Sequence, residues 1–369
     1  MRAVPPFDSG AGRFRAEVRR VVAREIAPAA SRWERAGRFP RRALRACGRH
    51  GYLALDPART AVLAEELTRC DSLGVALGIF VQAGLVGPLL RQIATPAQKR
   101  VFLTPLEAGR RVGAMAVTEP QAGSDFAALS CRATRDGRGF VIDGEKTYIT
   151  GAAAADFLVV AVRIMSDDAP DLSLLIVPTN APGVRVTPLS TLGLATTAMG
   201  QVAFRRCRVA ADAVLGAAGG GYRYIQEALN RERLYGGIGA VAWAQRALDQ
   251  TALFLRERRA FGRPLVRFQA LRHQLADRAT ELEASRQLNY ATFTRWADGY
   301  NVTKQIAMIK LFSYTAAQRT VETCLQMHGG AGYMADHWTS RWYRDARALT
   351  IAAGTPDVMR DLIAAHLRL

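Results

Sequence analysis

Ala116-Val117-Thr118-Glu119-Pro120-Gln121-Ala122-Gly123-Ser124-Asp125 stands where the texture of the chain changes. The stretch is a proline-rigidified turn carrying two hydroxyls, a glycine and exposed amides, so it can hold the polar edges of a flat ligand. Read alone, it is equally an ordinary polar loop between domains. Upstream, residues 12 to about 110 read as helices. Val18, Val21, Val22 and Ile26 recur at helical spacing and Pro28 marks the end of that run. Phe39-Pro40 opens a helix that closes near Gly51, and helical patterns cover Thr60–Thr68, Leu73–Ile93 and Thr95–Leu106. Thr95-Pro96 reads as an N-cap followed by proline at the first helical position. Downstream, from Val112 to about Leu215, short runs such as Phe140–Ile142, Phe157–Val162, Leu172–Val177 and Val202–Val209 predict strands, with Asp143-Gly144 as a hairpin-type turn. From Gly221 the pattern is helical again: Tyr222–Arg258, Leu265–Trp296, Val302–Met327 and a last stretch after Pro356 suggest a four-helix bundle. Helices, strands, then helices predict an α+β fold and not a doubly wound sheet. The expected domains are a helical one over 1–112, an antiparallel β-barrel-like one over 113–215 and the bundle over 216–369.

Composition narrows the function classes. With 49% hydrophobic and 22% charged residues in 369, the chain is globular, which excludes disorder, collagen and coiled coil. The net charge is +18, but only Lys99, Lys146, Lys304 and Lys310 are lysines, so the excess is arginine and reads as GC-rich coding. No nucleic-acid signature accompanies it, although a basic surface favours anionic partners. The five cysteines are scattered, with no CxxC, and fit a reducing cytoplasm without disulfides; the five histidines form no HxxxH or HExxH, so no metal site is expected. The N-terminus lacks an apolar signal region. Leu73–Leu90 is apolar enough to suggest a membrane span, but Gln82, Pro88 and its glycines favour a buried helix, and no membrane association is expected. Gly237-Ile238-Gly239-Ala240-Val241-Ala242 fits a dinucleotide fingerprint formally. It lies inside a helical pattern and follows no strand, so it reads as close helix packing.

The opening stretch resembles the signature of the acyl-CoA dehydrogenase flavoprotein family. Further segments repeat the resemblance in order: Gly144–Gly151 with the family's second flavin segment, Leu255–Leu265 with its arginine-and-phenylalanine turn, Gln326–Tyr333 with its glycine turn, then Arg344–Arg347 and Gly354-Thr355. The likeness covers roughly residues 12 to 369 and implies the same three-domain architecture with FAD as cofactor. By that resemblance Met115, Val117, Thr118 and Thr150 meet the isoalloxazine, Tyr148 covers one of its faces, and Gly123 and Ser124 approach the cofactor and substrate. Arg258, Phe261, Gln269, Gln326 and Gly330 hold the diphosphate and adenine end, from a neighbouring subunit of a homodimer or homotetramer. Thr355 touches the diphosphate, and Asp357 stands where Glu or Gln is usual. Singly, each has a structural alternative: Phe261 as core, Arg258 as a surface charge, Gly330 as a helix C-cap.

The implied reaction is α,β-desaturation of an acyl thioester, carried by CoA or by an acyl carrier protein, with an electron-transferring flavoprotein or oxygen as acceptor. A carboxylate must take the α-proton while the thioester oxygen is hydrogen-bonded. Most members carry that base directly before Gly-Thr; here the position is Ala353, which cannot accept a proton. Asn230-Arg231-Glu232-Arg233 resembles the segment in which isovaleryl-CoA and long-chain members place the base on an adjacent helix. Glu232 is therefore the expected base; alternatively it pairs with Arg233 or an i+4 neighbour on a solvated face. Asn230, Arg233, Ala353 and Gly354 join Ser124 as expected substrate contacts, the Ala353 N–H serving the thioester oxygen. Ala195 and Met199 replace an arginine and a threonine usual in the family, which bears on substrate-tail contacts and domain packing. The segment between Gly51-Tyr52-Leu53 and Ala64–Leu67 is trimmed, which opens the acyl pocket to a bulky or carrier-bound thioester. A flavin monooxygenase of the same superfamily and a silent FAD- and carrier-binding scaffold are the alternative functions.

Overall fold

The structure, a computed structural model, describes residues 9–137, 139–165 and 171–369. The start of the chain, residues 1–8, on which the signal-sequence reading bears, lies outside them. Helix α1 (Ser9–Val21) passes through a π-helical turn (Val22–Ile26) into α2 (Ala27–Ala36). Pro28 thus does not end the run. It sits in the first turn of α2, where a missing N–H costs nothing. Then come α3 (Arg41–Arg49), α4 (Pro57–Leu67), α5 (Leu73–Phe80), a π segment (Val81–Val86), α6 (Gly87–Ile93), α7 (Pro96–Gln98), another π segment (Lys99–Leu103) and α8 (Thr104–Glu107). Asp56 caps α4 by accepting from the Arg59 N–H, and Pro57 occupies its first position, so α4 starts before Thr60. Thr95 and Gln98 form a reciprocal capping box.

Leu73–Ile93 is apolar on all sides because it is a core element, 89% of its apolar window being buried. Its one interior polar residue, Gln82, docks the next domain: its amide donates to the Gly113 carbonyl at 3.0 Å and accepts from the Gly113 N–H at 2.9 Å.

Gly113 begins a seven-stranded sheet of β1 (Gly113–Ala116), β2 (Arg132–Asp136), β3 (Gly139–Ile149), β4 (Phe157–Ile164), β5 (Asp171–Pro178), β6 (Val184–Pro188) and β7 (Gly200–Ala210). The sheet is mixed where antiparallel pairing was expected. β4 takes both β1 and β2 as parallel neighbours and β5 as an antiparallel one. Asp143-Gly144 is not a hairpin turn. β3 runs through it with a register shift, a bulge that sets Gly144 at φ +146° against Cys131. β2 and β3 pair antiparallel from Arg132 opposite Asp143 to Asp136 opposite Gly139.

The C-terminal region is α9 (Gly221–Glu257), a two-stranded hairpin β8 (Arg259–Ala260) and β9 (Arg263–Pro264), then α10 (Gln269–Ala297), α11 (Thr303–Tyr333), α12 (Trp338–Leu349) and α13 (Pro356–Leu367). α12 is a helix additional to the expected four, anchored by the i,i+4 pair Trp338 and Trp342, the latter tilted on Trp243 with ring centroids 4.8 Å apart. α10 begins four residues after Leu265, because Leu265–Arg267 forms a 3₁₀ turn. The glycines of the 237–239 segment lie inside α9. A Cβ on Gly237 would stand 2.4 Å from Ile309 Cγ2 and one on Gly239 3.2 Å from the Ala64 carbonyl oxygen, so they serve helix packing.

Candidate active site

The opening stretch is fixed by a buried ion pair. Lys146, fully buried on β3, donates to Glu119 at 2.7 Å and to the Val117 carbonyl at 2.9 Å. Glu119 also accepts from the Ser130 and Cys131 N–H groups, at 2.8 and 2.9 Å, and from the Ser130 hydroxyl and Gln121 amide. Burial alone raises its pKa, but Lys146 and the two backbone donors outweigh that and hold it at about 2. The Thr147 N–H donates to the Thr118 carbonyl at 2.9 Å, closing the loop against β3.

This clamp leaves one face open. Met115, Val117, Thr118 and Thr150 are half-buried, while their neighbours Ala114, Ala116, Lys146 and Ile149 are buried. Tyr148 is 69% exposed at φ +56°, turned out by a second register shift between Lys146 and Ile149. The left-handed region is a strained conformation for a bulky residue. Among the described residues the Thr118 and Thr150 hydroxyls make no hydrogen bond, and Gly123 and Ser124 are exposed. An aromatic ring, two free hydroxyls and an apolar floor suit a flat, polar-edged group such as a flavin.

Met115 and Val117 pack against the same apolar cluster as Ala228 and Leu229 of α9. One turn on lies Glu232. It is half-buried, and among the described residues its carboxylate has no hydrogen-bond or ion-pair partner, so the surface-pair alternative is not what the structure contains. Burial raises its pKa, while Arg233 and Lys310 pull it down. Arg233 instead donates to the Ala353 carbonyl at 2.8 Å and to Asn230 at 3.3 Å, joining α9 to the loop before α13. In that loop Ala353 sits at φ +56° and Gly354 at +108°, and among the described residues the Ala353 N–H makes no hydrogen bond. A Cβ on Gly354 would stand 2.7 Å from Met359 Cε and 3.1 Å from Arg233 Nη2. Gly354→Ala is therefore expected to destabilise the fold by roughly 1–3 kcal/mol, the cost of such backbone strain. Thermal unfolding checks this, and an unchanged midpoint would contradict it.

The remaining expected cofactor residues stand apart. Arg258 caps α9, 26 residues beyond Glu232, which is about 39 Å along the helix axis. Arg258, Gln269, Gln326 and Gly330 are all exposed at that end of the bundle. Phe261 is 93% exposed at φ +50° on the β8–β9 turn, so it is not core. Gly330 is no C-cap: α11 breaks one residue earlier, at Gly329. Arg258, at the end of α9, thus stands far from Glu232 within one chain. Thr355 caps α13 and Asp357 pairs with Arg360 at 2.8 Å on the surface.

Ala195 and Met199 line an open cleft of about 510 Å³ with Arg38, Phe39 and Leu189, between the N-terminal helices and the sheet, with no residue of α9 in it. At the trimmed segment a second cavity, about 270 Å³, is lined by Leu55, Pro57, Pro88, Arg231, Tyr235 and Trp296, among others. The clamping Lys146, and Lys310 and Tyr314 beside Glu232, were not anticipated. Their signal was rarity for the first two, since the chain has only four lysines.

Residues 11–110, 114–207 and 219–368 match the N-terminal, middle and C-terminal domains of acyl-CoA dehydrogenases respectively. The chain is 34% identical to a probable acyl-CoA dehydrogenase, YngJ, of Bacillus subtilis, over 93% of this chain and 94% of that one. It is 30% identical to the mitochondrial isovaleryl-CoA dehydrogenase of Oryza sativa, over 98% and 92%. Among solved structures, an acyl-CoA dehydrogenase from Geobacillus kaustophilus superposes with a TM-score of 0.95 at 30% identity, covering 100% of both chains.

Proposed function

The chain belongs to the acyl-CoA dehydrogenase family, and on that premise we propose that it desaturates an acyl thioester with Glu232 as the base. The observation that carries the reading is the half-buried carboxylate of Glu232, without a hydrogen-bond or ion-pair partner among the described residues, joined through Arg233 to the loop in which Ala353 stands where most members carry the base. The isovaleryl-CoA dehydrogenase kinship agrees with it.

FAD would lie on the Tyr148 face, its polar edge on the Thr118 and Thr150 hydroxyls and the neighbouring amides, its flat body over Met115 and Val117. When bound, FAD supplies the acceptor for the hydrogen that leaves Cβ with its electron pair. Glu232 takes the α-proton. Its environment, desolvated yet flanked by Arg233 and Lys310, raises its basicity above that of an ordinary glutamate. The Ala353 N–H binds the thioester oxygen and stabilises the charge that grows there as the proton leaves. Arg233 fixes that loop through the Ala353 carbonyl. The net charge of +18 favours an anionic handle, either CoA phosphates or an acidic carrier protein.

The adenine end of FAD would meet Arg258, Phe261, Gln269, Gln326 and Gly330 of a second copy, since Arg258, at the end of α9, stands about 39 Å along the helix from Glu232 in one chain. Phe261→Ser should leave the unfolding midpoint of the isolated chain within the range of a surface change, about ±0.5 kcal/mol. It should weaken FAD retention on gel filtration; full retention would contradict the shared site.

Anaerobic addition of butyryl-, isovaleryl- and octanoyl-thioesters, CoA-linked and carrier-linked, tests the function. Bleaching of the yellow band by a thioester alone is expected. A need for an external reductant would indicate a monooxygenase, and no response with either would indicate a scaffold.

A further inference from the structure

We infer that Lys310 is a positioning residue for the base: it ties the helix turn of Glu232 to the loop of Ala353 and supplies a positive charge facing the carboxylate. This rests on the reading of Glu232 as base. Lys310 is 3% exposed on α11, and its ammonium donates to the carbonyl of Leu349, the last residue of α12 and four before Ala353. It stands 4.2 Å from the ring centre of Tyr314, one turn later on the same helix. The Tyr314 hydroxyl in turn donates to the carbonyls of Arg233 at 3.0 Å and Glu232 at 3.5 Å. That approach is possible because residue 236 is glycine: a Cβ there would lie 2.1 Å from the hydroxyl. The Lys310–Tyr314 pair thus touches both segments that form the site.

The charges follow the same plan. Among the described residues no carboxylate lies within ion-pair distance of Lys310. A buried ammonium with no paired carboxylate is costly. The titratable groups facing Glu232 are Arg233 on its own helix and Lys310 and Tyr314 on α11. Arg233 is engaged by Ala353 and Asn230. Burial lowers the Lys310 pKa to about 7, Glu232 opposing and Arg233 adding to that shift. Below pH 7 Lys310 is therefore charged and favours the ionised form of Glu232. Removing the charge raises the Glu232 pKa.

Lys310→Gln keeps a donor for Leu349 and removes the charge. Two measurements read it: anaerobic flavin reduction against pH, using whichever of butyryl-, isovaleryl- or octanoyl-CoA bleaches the wild type fastest, and an infrared carboxyl titration of thioester-free protein, with Glu232→Gln identifying the band. In Lys310→Gln the acid limb and the Glu232 titration should both move up by about one pH unit, so that reduction well below the wild-type midpoint is about tenfold slower. FAD content and KM should stay near wild type, and Lys310→Arg should recover the profile. An unmoved titration in folded, FAD-containing Lys310→Gln overturns the inference. Should that variant not fold, Tyr314→Phe decides. It releases the tie to α9 and leaves the charge, so reduction should slow with no shift of the acid limb, and a shifted limb overturns the inference. Normal bleaching by Glu232→Gln would instead overturn the base assignment, and the role of Lys310 with it.

Discussion

Glu232→Gln is expected to slow anaerobic flavin reduction by at least ~100-fold, the low end of what a positioned general base contributes. FAD should remain bound. Glutamine has the shape of the acid but cannot take a proton, and since Glu232 makes no hydrogen bond or ion pair among the described residues, no structural contact is lost with it. The fold should therefore be unmoved, which separates a chemical defect from an unfolding one. The sign of the pH dependence follows from the same surroundings. Burial raises the Glu232 pKa, and the base works only when deprotonated, so wild-type reduction should rise with pH through a midpoint above the ordinary glutamate value of about 4.3. Reduction by the variant at near-wild-type rate would reject Glu232.

Lys146→Met is expected to cost about 3–5 kcal/mol of stability and to abolish retention of FAD. It leaves Glu119, 2% exposed, as a buried carboxylate without its cation. The segment that loosens is Val117–Glu119, which carries the Thr118 edge of the proposed flavin face. Adding Glu119→Gln removes the stranded charge, so the double variant should regain part of the loss, as expected of directly coupled residues. In the wild type the Glu119 pKa is held down at about 2, below its unfolded value. Its stabilising contribution is then complete above about pH 4.3 and is lost as pH falls towards 2. Calorimetry and gel filtration check both statements; a yellow Lys146→Met protein with an unchanged midpoint would contradict them.

The segregated order of elements was legible because each region has its own period, 3.6 at either end and 2 in the middle. Pairing partners were not. β1 reaches β4 across more than forty residues, and nothing in Gly113–Ala116 shows that the pair is parallel. Asp143-Gly144 misled because a bulge and a tight turn ask the same thing of the backbone, a glycine at positive φ. Gln82 looked like an interruption of an apolar helix and is the hinge-pin that holds Gly113. In the site, what directed attention to Glu232 was the family resemblance together with alanine at position 353. That Glu232 has no partner among the described residues is a tertiary fact. So is the Lys310–Tyr314 link, which joins α11 to carbonyl groups on two other elements and leaves no trace in residue spacing.

A crystal structure with FAD and a non-reducible thioester analogue would test the central assignment most directly, by the distance from the Glu232 carboxylate to the carbon next to the thioester. An oxygen of Glu232 about 3–3.5 Å from that carbon, on the side away from the flavin, is predicted. A Glu232 side chain turned to solvent, or another carboxylate in that place, would contradict it.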